Sequence, residues 1–237
     1  MGIAVVAGGA GGIGQVLVDA LIADGNSVAI WDVNEEQINK ILNRYNNVKE
    51  KVLGVKCDIV NYDGVLHALK LTHERLGKPI QILVNAAGLF HFSNFLEIDA
   101  YKFKQIIEVN LIGPANTIRA VLPDMINSGG VIVNITSRWA SRIGINISAY
   151  IASKCGLLAL TKALSEEFKK HGIRFIAVSP GPVVTPMTLP YIKEGKPPKD
   201  WLRPEDVARV IMSIIKDDSF GGGEEIQIFG KGSLIGT

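Results

Sequence analysis

The sequence has two cysteines in 237 residues, Cys57 and Cys155, too few for a disulfide framework or a thiolate metal site. Its four histidines, His67, His73, His91 and His171, share no ligand spacing, so no metal is expected; His67 and His73 read as helix-surface residues. Neither sign of charge dominates: 25 Lys and Arg stand against 23 Asp and Glu, with no basic block, which argues against nucleic acid as a partner. No apolar run approaches the ~20 residues that span a bilayer. The first residues lack the basic flank of a secretory leader, and Val6 stands where a myristoylation signal needs Ser or Thr. Asn134-Ile-Thr136 and Asn146-Ile-Ser148 fit the glycosylation pattern, but nothing directs the chain to a secretory compartment. A cytoplasmic protein is therefore expected. Repeats, low-complexity tracts and linkers are also lacking.

Glycine is plentiful, at 25 residues, and five of them crowd one place: IAVVA (3–7) runs into Gly8-Gly9-Ala10-Gly11-Gly12-Ile13-Gly14, and an apolar helical pattern follows. Glycine permits positive φ and the close approach of another group to the backbone. A helix that begins just after such a loop directs free N–H groups and its positive dipole end outward. Strand, glycine loop and helix N-terminus together suit a phosphate. A tight turn alone would also use glycine, so the rest of the chain has to decide.

Strand-like and helix-like segments alternate throughout. Strands are read at 3–7, 27–32, 51–58, 82–88, 129–137, 173–181 and 224–230. Helices are read near 34–46, 61–76, 100–127, 150–170 and 204–216 as well as after the glycine loop. Seven short apolar strands separated by helices predict an α/β fold with a parallel sheet covered on both faces. Residues 182–203 form a Pro- and Lys-rich loop of the length used for lids, with a hinge suggested by Gly195-Lys196-Pro197-Pro198. Ligands of such sheets bind beyond the carboxyl ends of the strands. That edge gathers Gly8 to Gly14, Asp32, Asp58, Asn85 to Gly88, Ser137 and Pro180-Gly181.

Asp32 ends the second strand, 18 residues after Gly14. A carboxylate there accepts hydrogen bonds from adenosine ribose hydroxyls and repels a 2′-phosphate, which predicts NAD as cofactor. Asp58 ends the third strand and faces either the adenine edge or the next turn. Tyr150 and Lys154 are i and i+4 at the start of a helix, hence on one face. The ammonium and the helix dipole favour phenolate, so a lowered tyrosine pKa is predicted. A tyrosine so tuned exchanges a proton with an oxygen near neutral pH. Ser137 lies 13 residues earlier, at a strand end.

These motifs, in order and at this spacing, resemble the short-chain dehydrogenase/reductase family, specifically its single-domain branch. The likeness spans Gly8 to Gly14, Asn85-Ala86-Ala87-Gly88, Asn110, Ser137, Tyr150-x-x-x-Lys154 and Pro180-Gly181. It implies one Rossmann-like, doubly wound domain over the whole chain and a nicotinamide-dependent oxidoreductase. By that resemblance Tyr150 is the general acid/base, Lys154 holds the nicotinamide ribose, Ser137 holds the substrate oxygen and Asn110 supports a water relay. Gly8, Gly12, Ile13 and Gly14 line the pyrophosphate, Asn85 and Gly88 the adenosine half, and Val183 and Thr185 the carboxamide. Two positions depart from the family: Ala7 replaces the usual Thr, and Ala86 the usual second Asn.

The expected substrate is a small to medium secondary alcohol or its ketone, possibly a polyol or sugar. Its pocket is drawn from Phe90, His91, Arg138, Trp139, Ile145, Met187 and Tyr191, residues that flank the reacting point in sequence. A 3-ketoacyl-carrier-protein reductase is the alternative within the class, and a non-catalytic dinucleotide sensor the alternative outside it. The helix from Tyr150 carries more apolar residues than a one-sided stripe needs, which predicts a homodimer or homotetramer.

Overall fold

The first strand, β1 (Ile3–Ala7), is buried along its whole length. Its residues alternate between two cores: Ala4 and Val6 face one, Ile3, Val5 and Ala7 the other. A strand covered on both faces reads as an unbroken apolar run, and that is why IAVVA shows no alternation. The computed structural model describes residues 2–77, 79–192, 197–230 and 233–236.

The remaining strands are β2 (Ser27–Asp32), β3 (Val52–Lys56), β4 (Ile80–Asn85), β5 (Gly130–Ile135), β6 (Ile173–Pro180), β7 (Glu225–Phe229) and β8 (Ser233–Gly236). They form one sheet in the order β3-β2-β1-β4-β5-β6-β7-β8. The seven predicted strands are parallel. β8 adds an antiparallel edge that the sequence reading did not contain; four residues are too few for a period to register. The chain steps outward from β1 to β3, then returns to place β4 on the other side of β1. This reversal opens a crevice above β1 and β4, the usual ligand site of such sheets.

The helices are α1 (Gly12–Ala23), α2 (Glu35–Leu42), α3 (Tyr62–Leu76), α4 (Ala100–Ile107), α5 (Gly113–Met125), α6 (Ser148–Phe168) and α7 (Pro204–Lys216). Among them none is long and apolar enough to cross a membrane. Asn34, Asn61 and Asp99 cap α2, α3 and α4 through their side chains. His73, near the end of α3, lies 2.6 Å from Asp124 of α5, whose carboxylate also accepts from Ile80 N at 2.9 Å. It is a tie between helices rather than a bare surface residue.

Two predicted helices are interrupted. The one at 34–46 ends at Leu42 and continues as 3₁₀ turns over Asn43–Lys51, broken at Tyr45 and Val48. The one at 100–127 is divided by a π-helical turn, Glu108–Ile112. Pro114 explains the division: it has no N–H for the carbonyl four residues back, that of Asn110, and the chain widens by one residue instead. The 182–203 loop is stapled at its ends, where Leu202 N donates to Pro182 O and Val184 N to Leu202 O, both at 2.9 Å. Gly195 and Lys196, half of the suggested hinge, lie outside the described residues.

Candidate active site

A cavity of about 900 Å³ lies over the carboxyl ends of β1, β4, β5 and β6. Its floor is the glycine loop. Gly8 has φ +79°, and a Cβ there would stand 2.4 Å from the backbone nitrogen of Ala87, so only glycine fits. Gly8 N donates to Trp31 O at 2.7 Å, while Ala86 N and Ala87 N both donate to Ala7 O at 2.8 and 2.9 Å. Backbone bonds thus tie the two loops together at the positions where Ala7 and Ala86 depart from the family's side chains.

Gly8, Gly12 and Ile13 line the cavity. Gly14 does not: a Cβ on it would lie 2.1 Å from Gly8 O, so its role is close packing of α1 against the turn. The N-terminus of α1 has no side-chain cap and no acidic residue in its first turn, unlike α2, with its Asn34 cap and its first-turn Glu35 and Glu36. An uncapped helix end opening on a cavity is suited to an anion.

Asp32 lines the cavity beside the glycine loop. Its Oδ2 accepts from Ala10 N at 2.9 Å and its Oδ1 from Asn34 N at 3.0 Å. Each oxygen retains a further acceptor position. Asp58 also lines the cavity and bonds Val60 N at 3.0 Å, so it both faces the site and closes its turn. Among the described residues lining the cavity, the charged ones are Asp32, Asp58 and Lys154, and the lysine lies at the far end.

The sequence reading of Asn85 is corrected. Its side chain is 1% exposed and lies between β5 and α5. Nδ2 donates to Asn134 at 2.8 Å, and Oδ1 accepts from Thr117 at 2.7 Å. It supports the loop from below, while Ala86, Ala87 and Gly88 form the wall.

At the other end, Ser137 leaves β5 and caps the turn Arg138–Ala140, and Tyr150 and Lys154 reach in from α6. The Ser137 side chain stands near the Tyr150 phenol and favours its ionised form. Lys154 is 4% exposed; its Nζ donates to Ile135 O at 2.8 Å and stands 5.9 Å from the centre of the Tyr150 ring. Burial pushes the Tyr150 phenol above its ordinary value, and Ser137 opposes this only in part. The predicted lowering by Lys154 does not prevail, because the walls that remove water disfavour phenolate. Burial also brings the Lys154 ammonium down to about 8.

That depression has a sign for stability. The folded state favours neutral Lys154, so the cost is complete below pH 8 and fades as pH rises toward the unfolded value near 10.5. Lys154→Met removes the charge and also one hydrogen bond. It should stabilise the protein by about 2 kcal/mol at pH 7, the ~3 kcal/mol cost of the shift less ~1 kcal/mol for the bond. Urea melts at pH 7 and pH 10 should show that advantage shrinking with pH.

Asn110 sits in the π turn, fully buried. Its Oδ1 accepts from Leu89 N at 2.7 Å; its Nδ2 donates to Leu89 O at 2.9 Å and to Ser153 Oγ at 3.0 Å. Ser153, which the sequence reading overlooked, passes the link to Tyr150 O at 2.7 Å. It sits inside Tyr150-x-x-Ser153-Lys154, where a hydroxyl gives no distinctive signal.

Phe90, Trp139, Met187 and Tyr191 line the substrate end with Leu89, Gln105 and Val109. Phe90 meets Tyr150 and Tyr191 edge-on, each at 5.0 Å between ring centres. Three expected pocket residues are not in the wall. Ile145 is 81% exposed on the loop surface. Arg138 stacks its guanidinium on Trp139 at 4.7 Å, and neither it nor His91 is among the residues that line the cavity. Pro180, Gly181, Val183 and Thr185 do line it. The lid rests on the glycine loop, with Thr185 so near that a Cβ on Gly12 would approach it to 2.9 Å.

Comparison with known proteins agrees with this geometry. Residues 2–195 match the short chain dehydrogenase family, and the chain belongs to it. It is an oxidoreductase of that type. It is 32% identical to short-chain dehydrogenase reductase 3c of Arabidopsis thaliana, over 98% of this chain and 95% of that one. It is 31% identical to an uncharacterised oxidoreductase of Staphylococcus saprophyticus, over 95% and 96% of the two chains. The solved alcohol dehydrogenase of the archaeon Thermococcus sibiricus, complexed with 5-hydroxy-NADP, superposes with a TM-score of 0.86 at 26% identity, covering 98% of each chain.

Proposed function

We propose that the protein is an NAD(H)-dependent dehydrogenase of small, uncharged secondary alcohols, acting equally as a reductase of their ketones. The observation that carries this reading is one cavity with a Ser137–Tyr150–Lys154 cluster at one end and a fixed carboxylate, Asp32, at the other. The residues present fit a dinucleotide: Gly8, Gly12 and Ile13 with the open α1 N-terminus for the pyrophosphate, Asp32 for the adenosine ribose, and Lys154 for the second ribose. Gly88, Pro180, Gly181, Val183 and Thr185 complete the wall. The nicotinamide ring supplies the hydride or accepts it.

The rest of the chemistry belongs to the chain. Ser137 donates a hydrogen bond to the substrate oxygen and sets it beside the Tyr150 hydroxyl. Tyr150 is held protonated in the resting protein and is therefore poised to donate a proton to that oxygen during ketone reduction. In the oxidative direction it must first lose that proton, so alcohol oxidation should quicken with pH. Lys154 places positive charge behind the tyrosine and stabilises phenolate as it forms. Asn110 commits its side chain to Leu89 and Ser153. Its share in a water relay falls to its carbonyl, which Pro114 leaves without the ordinary helical donor.

The substrate end is walled mostly by apolar and aromatic side chains, with Ser137, Tyr150 and Gln105 as polar exceptions. Such a pocket binds by burial and orients with a few polar groups. Arg138 and His91 stand outside it, which favours neutral substrates over carboxylates. Short-chain and cyclic secondary alcohols are expected to exceed hydroxy acids and long acyl thioesters in kcat/KM by about tenfold or more, roughly 1.4 kcal/mol of transition-state binding. A long acyl thioester as best substrate would establish the carrier-protein reductase instead.

A homodimer or homotetramer is part of the proposal. Ala152, Ala159 and Ala163 are exposed along α6 and Ile112 along the π turn. Sedimentation at micromolar concentration should give at least a dimer; a monomer would refute this assembly.

A further inference from the structure

One buried carboxylate lies outside the chemistry above. Glu225, on β7, is 5% exposed and does not line the cavity. Among the described residues it forms no ion pair with lysine or arginine. Hydroxyl groups surround it instead. Ser141 Oγ donates to both carboxylate oxygens at 2.8 Å, and Ser179 Oγ donates to Oε1 at 2.7 Å. Ser179 Oγ is in turn 2.6 Å from Thr136 Oγ1, which also lies 3.0 Å from Val178 O.

An ionised carboxylate only accepts. Ser141 and Ser179 must therefore direct their protons at Glu225, which leaves Ser179 Oγ an acceptor for the Thr136 hydroxyl. One carboxylate thus sets the direction of the whole chain of hydroxyls. A buried acidic residue in a sheet is costly unless its bonds are satisfied, and an apolar residue would pack there without that cost. The places it joins suggest its use. Thr136 immediately precedes Ser137. Ser141 follows the turn Arg138–Ala140 that Ser137 caps. Ser179 immediately precedes Pro180 and Gly181 in the cavity wall. The exits of β5 and β6, which border the reacting oxygen from two sides, are pinned to one group on a third strand.

We infer that Glu225 is a positioning residue for hydride transfer: through Ser141 and Ser179 it fixes the Ser137 hydroxyl relative to the β6 exit. The inference rests on the dehydrogenase reading for its kinetic consequence but not for its structural one. Glu225→Gln keeps the shape but removes the charge and the Oε2 acceptor, which weakens the charge-assisted bonds from both serines. Ser141→Ala removes only the link to the turn.

Hydrogen exchange of the 137–142 segment reads the structural claim without any substrate. There Trp139 N donates to Ser137 Oγ at 3.3 Å and Ala140 N to Ser137 O at 2.8 Å. Both variants should exchange this segment about tenfold faster, with β1 and β4 unchanged. NADH affinity should stay within about threefold, KM for the best ketone of the panel should hold, and kcat should fall about 10- to 100-fold, as expected for a small misplacement. The double variant should be no slower than Glu225→Gln alone, because both act through one link. If Glu225→Gln does not fold, Ser141→Ala carries the same expectations. Unchanged exchange at 137–142 overturns the inference, as does additive loss in the double variant or a kcat within twofold of wild type. If the wild type reduces no ketone, the dehydrogenase reading fails, and the exchange result still decides whether Glu225 holds the turn.

Discussion

Tyr150→Phe is expected to lower kcat for secondary-alcohol oxidation by about 10³-fold, the usual scale for removing a positioned acid or base. The hydroxyl lines the same cavity as Ser137 and is, in the proposed reading, the group that exchanges a proton with the substrate oxygen. The ring itself stays useful, since it packs edge-on against Phe90 at 5.0 Å. Phenylalanine preserves that contact, so NADH affinity should change less than about threefold, or ~0.6 kcal/mol. Stopped-flow hydride transfer and fluorescence titration separate the two quantities. A loss of only two- or threefold in kcat would place the acid/base elsewhere.

Asp32→Ala should move cofactor preference by about 10²- to 10³-fold toward NADP, since opposing like charges cost several kcal/mol. In the proposed reading the 2′-phosphate of NADP would meet Asp32, with Asp58 in the same wall and no lysine or arginine at that end among the described residues. Asp32 cannot easily swing aside, being held by Ala10 N and Asn34 N. The T. sibiricus relative was solved with an NADP derivative, so the fold alone does not choose. We assign the choice to Asp32. Affinities for NADH and NADPH, measured side by side on both proteins, decide it; tighter NADPH binding by the wild type would refute the assignment.

Which parts of this were legible in the sequence follows from how local each signal is. The glycine loop and Tyr150-x-x-x-Lys154 are short-range patterns whose geometry is fixed by a turn and by one helical repeat, and residues of both line the cavity. Position along a loop was a poorer guide to direction. His91, Arg138 and Ile145 neighbour site residues in sequence yet are not in the cavity wall. Asn85 was open to a better reading: it shares parity with Leu83 on β4, and strand alternation sends both toward the α5 side rather than into the crevice. The π turn at Asn110 was foreshadowed by Pro114, but one proline inside a helical pattern does not say whether the helix ends, kinks or widens. The tyrosine pKa failed for a different reason. Attraction between i and i+4 partners is readable from spacing, whereas desolvation depends on walls brought together from β4, β5, α6 and the lid. Glu225 gave no signal, since its partners lie 46 and 84 residues away.

The account turns on hydride transfer to NAD within one cavity. Its most direct test is NADH formation when pure wild-type protein meets NAD and a panel of short-chain and cyclic secondary alcohols, polyols and hydroxy acids. The expected result is saturable NADH formation, fastest with a neutral secondary alcohol, weaker with NADP and nearly absent in Tyr150→Phe. Protein that binds NADH yet forms none with any alcohol, and oxidises none with the matching ketones, would contradict the account and leave a dinucleotide-binding protein without the reaction.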